Sequence, residues 1–441
     1  MSASLPNQGR RPRIAWCSST VFPDAYRHLG LPPKVECPWK IILFEHARAA
    51  IDADWIIVTQ GNHEQRCDFT VNGVRHVVLG QPKRLHHWSY DWRGFAEAQR
   101  VLSEWEPDLV HVHGSENYFG LLSARGLIRP PTLVALQGFL NPYVRTVWGS
   151  LSLAQVMRIE RPLDWLRATG LVGLKRQWTL GAKLENEILR GNRWFAGRTG
   201  WDKANLHTVN PNGNYRVLNE LLRPEFGSTT WSLGKVDRHS IFFGNLIGPH
   251  KGGDVLVEAI RIVQRFVPDV RLRMSGGMAP GGGYARHLLK AIRRAGLIER
   301  FQFLGYIDAT QMAQELARAH VFVSASFMDN SPNSVGEAMM VGTPCVCSYV
   351  GGLPSIGRDG KEMTFFPAGD PEALAAAIMN VFADDGAAES SSIAARETAR
   401  AFHDPATTIQ QLRAIYSEML SDTKVEDATV PAARRNQTTV R

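Results

Sequence analysis

Residues 321–348 read VFVSASFMDNSPNSVGEAMMVGTPCVCS and hold two short apolar runs on either side of a polar loop and a helical pattern. The runs Val321–Ala325 and Pro344–Ser348 carry no charge and are rich in valine, which is typical of buried strands. Between them, Ser334–Val341 predicts the start of a helix. A strand, a helix and a second strand in this order form a βαβ unit of a parallel sheet.

The same alternation continues on both sides of this unit. In the second half, further strands are predicted at Ser240–Gly244, Val270–Ser275 and Phe301–Gly305. Helices are predicted there at Asp254–Phe266, Tyr284–Ala295, Ala309–Arg318, Pro371–Phe382 and Thr407–Leu420. In the first half, strands are predicted at Arg13–Cys17, Trp55–Thr59, Asp108–His113 and Thr132–Leu136, with a helix at Trp92–Trp105. The pattern predicts an α/β protein with two doubly wound halves that join near residues 227–238.

The composition is that of a folded globular protein. Of the 441 residues, 44% are apolar and 21% are charged, and no apolar run approaches the ~20 residues that a membrane-spanning helix needs. The five cysteines are odd in number and have no metal-ligand spacing, and residues 1–13 lack the apolar core of a secretory signal. We therefore expect a reducing, cytoplasmic location.

Positive charge is concentrated in the first half of the chain. Residues 1–235 hold 29 Lys and Arg against 20 Asp and Glu, whereas residues 236–441 hold 21 against 22. A basic half favours an anionic partner such as a membrane surface or a phosphate-bearing acceptor. An ordinary arginine-rich surface explains the excess equally well, and both interpretations stay open. No recognised nucleic-acid-binding module is visible, so nucleic acid is not an expected partner.

Residues 144–198 concentrate basic and aromatic side chains. Val156–Trp165 and Leu171–Leu189 could form helices that lie on a membrane surface. They could equally be ordinary helices whose arginine stems cover the core. Composition alone leaves both possibilities open.

Two carboxylates, Asp329 and Glu337, flank the polar loop of residues 326–334. The loop opens a helix, and the free N–H groups at a helix start form a favourable site for an anion. Ser334 and Glu337 could instead make a capping box, which would give Glu337 a purely structural role. Beyond the next strand, Gly351-Gly352 would let a ligand approach the backbone closely.

A second glycine-rich loop lies at residues 244–253, which read GNLIGPHKGG. It follows a predicted strand and places Lys251 just before a helix, an arrangement that can hold a diphosphate. The loop lacks the GxxxxGK[ST] pattern of a P-loop. A solvated loop lysine is the alternative.

Together these motifs resemble the second half of retaining glycosyltransferases of the GT-B fold, of the large family 4 (glycosyl transferases group 1) that uses nucleotide-sugar donors. The family pattern is a carboxylate, seven residues, Glu-Ala-Met and then Gly-x-Pro, which here begins at Asp329 and runs through Glu337 and Gly342 to Pro344. The family also has Gly-Arg, five residues and Lys-Gly, which here begins Gly244-Asn245. The first half fits more loosely, and residues 197–223 look like a subgroup from bacterial polysaccharide biosynthesis.

The resemblance implies the GT-B arrangement, in which two Rossmann-like domains face a central cleft. It also implies roles for individual residues. Glu337 would bind the ribose hydroxyls, Asp329 would face the donor sugar, and Lys251 would neutralise the departing diphosphate. Other donor contacts would come from Asn245, Gly248, Gly305, Tyr306, Asn333, Ser334, Val335, Gly351 and Gly352. The acceptor or cleft residues would be His113, Gln137 and Arg198.

Some positions depart from the family pattern. Asp329 is one methylene shorter than the usual glutamate, and Asn245 stands where an arginine usually supplies a second cation to the diphosphate. Arg198 is a candidate substitute for that arginine. Gln137 stands where many relatives have histidine.

By this resemblance, residues 1–235 form the acceptor-binding domain and residues 236–405 the nucleotide-sugar-binding domain. A helix at 406–420 would cross back to the first domain, and 421–441 would be a disordered tail. We expect retaining, metal-independent sugar transfer to a glycan or lipid-linked acceptor, without a cofactor and with peripheral contact at the inner membrane face. A catalytically weak partner subunit and a nucleotide-sugar epimerase remain as alternatives.

Overall fold

Apolar, β-branched runs form the strands of two mainly parallel sheets. The computed structural model describes residues 10–31, 38–60, 66–80, 92–161, 164, 169–244, 248–276 and 282–429, with side chains to residue 422. Within these residues, the first sheet has the order β3-β4-β2-β1-β5-β6-β7-β8. Its strands are β1 Arg13–Ser18, β2 Asp54–Gln60, β3 Cys67–Val71, β4 Val74–Leu79, β5 Leu109–His113, β6 Thr132–Ala135, β7 Trp194–Gly197 and β8 Asn214–Val217.

The second sheet is parallel throughout the part that the structure describes. Its order is β11-β10-β9-β12-β13-β14. The strands are β9 Asp237–Phe243, β10 Arg271–Ser275, β11 Phe301–Gly305, β12 Ala319–Ser324, β13 Cys345–Ser348 and β14 Thr364–Phe366. In both sheets the chain leaves the first strand to build one side and then returns to build the other. This reversal creates a crevice at the carboxyl ends of the central strands, where α/β proteins bind ligands.

Helices cover both faces of the two sheets. In the first half they are α1 Pro23–His28, α2 Pro38–Ala50, α3 Trp92–Trp105, α4 Phe119–Ala124, α5 Leu140–Thr146, α6 Leu153–Ile159, α7 Leu171–Gly191 and α8 Gly200–Val209. In the rest of the chain they are α9 Pro224–Ser228, α10 Gly253–Val263, α11 Gly283–Arg294, α12 Ala309–Arg318, α13 Asn333–Val341, α14 Pro371–Ala383, α15 Asp385–Phe402 and α16 Pro405–Thr429.

Several elements differ from the sequence-based expectation. The hairpin β3–β4, the strands β7 and β8 and the helix α15 were not predicted. Helix α6 begins earlier than expected because Ser152 caps it and forms a capping box with Gln155. Helix α16 continues through residues 421–429 instead of ending at residue 420, and the disordered tail stays a prediction. The polar sequence of that segment contains good helix formers and few strong breakers. Residues 430–441 lie outside the described residues.

Helix α16 packs against the first sheet although it follows the second sheet in the chain. Its apolar residues, from Ile409 to Leu420, share a buried cluster with residues of β1, β2 and α2. The Tyr416 hydroxyl accepts a hydrogen bond from Trp16 Nε1 at 2.9 Å and contacts His111 Nδ1 at 2.7 Å. All three side chains are at most 1% exposed. Helix α16 is therefore held by polar contacts inside the first core.

In the described part of the chain, every helix is too short or too polar to cross a lipid bilayer.

The Tyr416→Phe substitution tests this anchor. It leaves Trp16 Nε1 and His111 Nδ1 buried without their shared partner, so we expect the free energy of unfolding to fall by about 1–3 kcal/mol. Urea unfolding followed by tryptophan fluorescence measures the change. The control is Tyr349→Phe, which alters a side chain that is 63% exposed and is expected to change stability by less than about 0.5 kcal/mol. Equal stability of the Tyr416→Phe and wild-type proteins would show that the hydroxyl does not hold the helix.

Candidate active site

The neighbouring strands β9 and β12 bring two predicted catalytic residues together at their carboxyl ends. Lys251 Nζ donates a hydrogen bond to Asp329 Oδ2 at 2.6 Å, and Ser326 Oγ donates to the same oxygen at 3.1 Å. The Lys251 and Asp329 side chains are 13% and 10% exposed. Lys251 ends a short 3₁₀ turn after β9, and Asp329 follows β12, which is the neighbouring strand. The carboxyl ends of the two strands therefore place the pair at the crevice of the second sheet.

Tyr143 contacts Asp329 from the first half of the chain and was not predicted from the sequence. Its hydroxyl donates to Asp329 Oδ1 at 3.4 Å. Burial, followed by the charge of Asp329, raises the pKa of Tyr143 well above its ordinary value. The phenol therefore stays protonated and serves as a donor at neutral pH. Tyr143 lies on α5, a short helix without an N-cap side chain or a motif that would have marked it.

Glu337 is paired with an arginine from the segment that links the sheets. Arg223 Nη2 donates to Glu337 Oε1 at 2.8 Å, and the carboxylate side chain is 8% exposed. Burial raises the pKa of Glu337 to about 7, while Arg223 acts to lower it. Pro332 is the N-cap residue of α13 and makes no side-chain cap. The capping box considered for Ser334 and Glu337 is therefore not formed.

Arg198 is also engaged in a buried ion pair. Its Nη1 atom lies 2.8 Å from Glu220 Oε1 and donates to the Leu136 carbonyl at 3.2 Å, while Nε donates to Ser331 Oγ at 2.9 Å. The Arg198 and Glu220 side chains are 7% and 5% exposed. Arg198 thus contacts the loop that carries Asp329, but its charge is already neutralised by Glu220. Arg198 was a candidate to replace the family's arginine, at whose position this chain has Asn245. Asn245 lies outside the described residues.

The predicted glycines Gly351 and Gly352 approach the protein's own loop. A side chain at Gly351 would lie 1.8 Å from the Asp329 carbonyl oxygen, and one at Gly352 would lie 2.2 Å from that of Asn330. Gly351 also has φ +52, a conformation that favours glycine. The absence of a side chain therefore lets these glycines pack against the backbone of the Asp329 loop, and their contact with a donor stays a prediction.

The other predicted donor contacts are spread along the crevice. Asn333, Ser334 and Val335 form the first turn of α13, but the Val335 N–H donates to the Pro332 carbonyl at 3.0 Å. The first N–H groups of a helix have no intrahelical acceptor, so those of Asn333 and Ser334 are the candidates for an anion, and this contact stays a prediction. Gly305 ends β11, and the next residue, Tyr306, is 85% exposed.

The predicted cleft residues of the first half differ in burial: His113 is buried, whereas Gln137 is partly exposed. His113 is 1% exposed, and both of its ring nitrogens are without a partner among the described residues. Its ring packs 4.2 Å from that of Trp16, and burial holds its pKa well below the ordinary value. The Gln137 carbonyl accepts a hydrogen bond from Asn330 Nδ2 at 3.1 Å. His113 is thus part of the core under the crevice, whereas Gln137 lies at the contact between the two halves.

Glu185 is a buried carboxylate that was not predicted from the sequence. It accepts hydrogen bonds from Ser115 Oγ and from the Leu140 N–H, both at 2.7 Å. Burial raises its pKa to about 8. By joining these two groups, Glu185 fixes the loops that follow β5 and β6, including Gln137.

No group of three or more His, Cys, Asp or Glu side chains in the described ranges is placed to hold a metal ion. Metal independence stays a prediction.

The two facing sheets, with their charged pairs at the junction, have the architecture of GT-B glycosyltransferases. Sucrose-phosphate synthase from Thermosynechococcus elongatus superimposes with a TM-score of 0.70 at 18% identity, covering 93% of this chain and 100% of that chain. The Anabaena protein HepE in complex with UDP and glucose gives a TM-score of 0.63 at 17% identity, covering 93% and 100%. The predicted fold class is therefore confirmed.

The chain belongs to the family of glycosyl transferases group 1. The family's sequence profile matches residues 237–384. The phosphatidyl-myo-inositol mannosyltransferase of Mycobacterium leprae (strain TN) is 30% identical over 353 residues, which cover 76% of this chain and 80% of that protein. The protein is accordingly a glycosyltransferase of the group 1 type.

The raised pKa of Glu337 predicts how stability changes with pH. The folded protein holds this proton up to a pH of about 7, whereas an unfolded carboxyl releases it near 4.5. Stability therefore falls as the pH rises through this window, because the folded state binds more protons than the unfolded state. Glu337→Gln cannot titrate, so we expect wild type to lose stability relative to this variant between pH 4.5 and 7.

Urea unfolding of both proteins at several pH values measures the difference. The control is Glu372→Gln, which changes an exposed carboxylate on α14. A difference that stays constant or grows in favour of wild type as the pH rises would contradict the prediction.

Proposed function

We propose that the protein transfers a sugar from a nucleotide diphosphate sugar to a glycan or lipid-linked acceptor, with retention of the anomeric configuration. The observation that carries this proposal is the Lys251–Asp329 pair, whose aspartate lies in the loop that leads into α13, in the crevice of a group 1 glycosyltransferase. A cation and a helix start stabilise a diphosphate, and a neighbouring carboxylate can accept hydrogen bonds from sugar hydroxyls.

The proposed chemistry follows the movement of charge. When the bond from the anomeric carbon to the diphosphate oxygen breaks, the sugar becomes oxocarbenium-like and negative charge builds on the diphosphate. Lys251 and the first turn of α13 would stabilise that charge, so that no metal ion is required. Glu337, held by Arg223, would accept hydrogen bonds from the ribose hydroxyls. The acceptor hydroxyl would attack from the face that the diphosphate leaves and pass its proton to the departing diphosphate oxygen, so that the configuration is retained.

The relatives suggest the chemical class of the substrates. The M. leprae relative is named for the transfer of mannose to phosphatidyl-myo-inositol, and the HepE structure contains UDP and glucose. These names support a hexose donor and an acceptor with a lipid anchor. They leave the base and the sugar to experiment.

Ligand-induced stabilisation tests the donor site first. A nucleotide at 100 times its Kd should add ~2.7 kcal/mol to the free energy of unfolding. We expect a thermal shift with one series among UDP-, GDP- and ADP-sugars, and its loss in Lys251→Ala and Glu337→Ala. The matched controls Lys290→Ala and Glu389→Ala change exposed side chains far along the chain from this site.

A transfer assay with the stabilising donor follows. Lys251→Ala should lower the rate by about 10²–10³-fold, which is typical when one stabilising donor is removed from a developing negative charge. The anomeric configuration of the product, measured by NMR, tests retention directly. An inverted product would contradict the proposed stereochemistry. A nucleotide shift without transfer would favour a binding subunit, and conversion of the free nucleotide sugar would favour an epimerase.

We further propose that the protein acts at the cytoplasmic face of the membrane, in peripheral contact with anionic lipids. The basic first half supports this proposal, as does α6, which exposes Leu153 by 60% and Met157 by 47% beside the exposed Arg158. Inserted leucine and methionine side chains contribute about 1.5–3 kcal/mol each when fully buried, and basic residues add attraction to anionic headgroups.

Flotation with phosphatidylglycerol-containing liposomes at low salt tests this contact. We expect the wild-type protein to float with the vesicles, and Leu153→Ser/Met157→Ser to remain mostly in the soluble fraction. Ile393→Ser, which replaces a residue that is 62% exposed on α15, is the control and should float like wild type. Wild-type protein that stays in solution would rule out the membrane proposal.

A further inference from the structure

Consecutive residues of the loop after β12 contact the first half of the chain. Asp329 accepts a hydrogen bond from Tyr143, and Ser331 accepts one from Arg198 Nε at 2.9 Å. The residue between them, Asn330, is 1% exposed and directs its side chain to the start of α8. The loop that carries the proposed sugar-binding carboxylate is therefore tied to both halves of the molecule.

The Asn330 amide uses both its donor and its acceptor atoms. Nδ2 donates to Asp202 Oδ1 at 2.6 Å and to the Gln137 carbonyl at 3.1 Å. Oδ1 accepts from Thr199 Oγ1 at 2.8 Å. A carboxylate of the same shape could accept from Thr199 but could not donate to the other two oxygens. The contact is therefore specific for an amide at this position.

The groups that receive Asn330 are held in place by the first half itself. Thr199 caps α8 and accepts from the Asp202 N–H, while Asp202 Oδ2 accepts from the N–H groups of Arg198 and Thr199. Within this capping box, Asp202 Oδ1 and the Thr199 hydroxyl proton are directed to Asn330. This capping box at the carboxyl end of β7 thus forms a prepared site for the amide, independent of the second half.

The other side of the loop is fixed by the second half. The Asp329 carbonyl accepts from the Gly352 N–H at 3.2 Å, and Lys251 and Ser326 hold the Asp329 side chain. Because Asn330 is covalently joined to Asp329, a shift of its amide moves the adjacent carboxylate. A displacement of about 1 Å at a reacting centre can lower a rate by about a hundredfold.

We propose that Asn330 is a positioning residue that couples the placement of Asp329 to contact between the two halves of the enzyme. The carboxylate then takes its position beside the transferred sugar only when the Asn330 amide occupies the capping box of α8. This inference rests on the proposed function, since it assumes that Asp329 contacts the donor sugar. It predicts an effect on turnover that is separate from the binding of the nucleotide, whose proposed contacts are Lys251, Glu337 and the start of α13.

The substitution Asn330→Asp tests the coupling with little change of volume. It removes the donated hydrogen bonds and brings a second carboxylate against Asp202. We expect kcat for sugar transfer to fall by about ten- to a hundredfold, while the thermal shift and Kd for the free nucleoside diphosphate stay within about twofold of wild type. Because protonation of either carboxyl restores a donor, the loss of kcat should be smaller at low pH than at high pH.

A double substitution that exchanges the residues at positions 330 and 202 tests whether kcat can be restored. In Asn330→Asp/Asp202→Asn, the amide at position 202 can donate to the carboxylate while its oxygen still accepts from the backbone N–H groups. We expect it to recover part of kcat and to lose the added pH dependence. If Asn330→Asp folds poorly, the loss of kcat is measured instead in Asn330→Ser, which introduces no charge. Asn380→Asp makes the same chemical change at an exposed position on α14 and should leave kcat unchanged.

The outcomes separate the inference from the proposed function. If wild type binds a nucleotide and transfers sugar but Asn330→Asp and Asn330→Ser lose only thermal stability, with kcat per folded molecule unchanged, Asn330 has a structural role and the inference is wrong. It is also wrong if kcat and nucleotide affinity fall together, because the loop then serves binding alone. Failure of wild type to bind any nucleotide diphosphate would instead overturn the proposed function.

Discussion

The junction between the two sheets depends on largely buried ion pairs, each formed by a basic and an acidic side chain. The pairs are Arg198–Glu220, Arg223–Glu337 and Lys251–Asp329. A buried charge is strongly destabilising when its partner is removed, because the remaining charge keeps its desolvation penalty. Arg198 and Arg223 each connect a different segment of the chain to this junction. The pairs therefore restrict how the two halves can meet.

The second half was predictable because its function and its fold use the same residues. Strand, loop and helix succeed one another at intervals that are visible in the sequence, and the spacing of Asp329, Glu337 and Lys251 agrees with the family pattern. Parallel strands bring their carboxyl ends to one edge, so residues far apart in the chain meet there. The sequence could therefore predict that Lys251 and Asp329 lie in one crevice, although it could not predict that they bond directly to each other.

The contacts across the junction could not be predicted, since they depend on how the two halves fit together in space. Tyr143 belongs to no motif, and Arg223 ends the stretch of residues 197–223, but the bonds of Tyr143 to Asp329 and of Arg223 to Glu337 are visible only in the structure. The hairpin β3–β4 is different, because Asn72-Gly73 between two apolar runs is a recognisable turn, and both residues have positive φ. That signal was present in the sequence and was overlooked.

The position of α16 has a consequence for the order in which the protein can fold during synthesis. The strands of the first sheet end at Val217, but the cluster around Trp16 and His111 is completed by residues 409–420. A nascent chain therefore carries this apolar surface uncovered while the whole second sheet is being translated. Exposed apolar surface on a partly folded chain invites aggregation. The first half thus depends on α16, and its folding finishes only when residues 409–420 have left the ribosome.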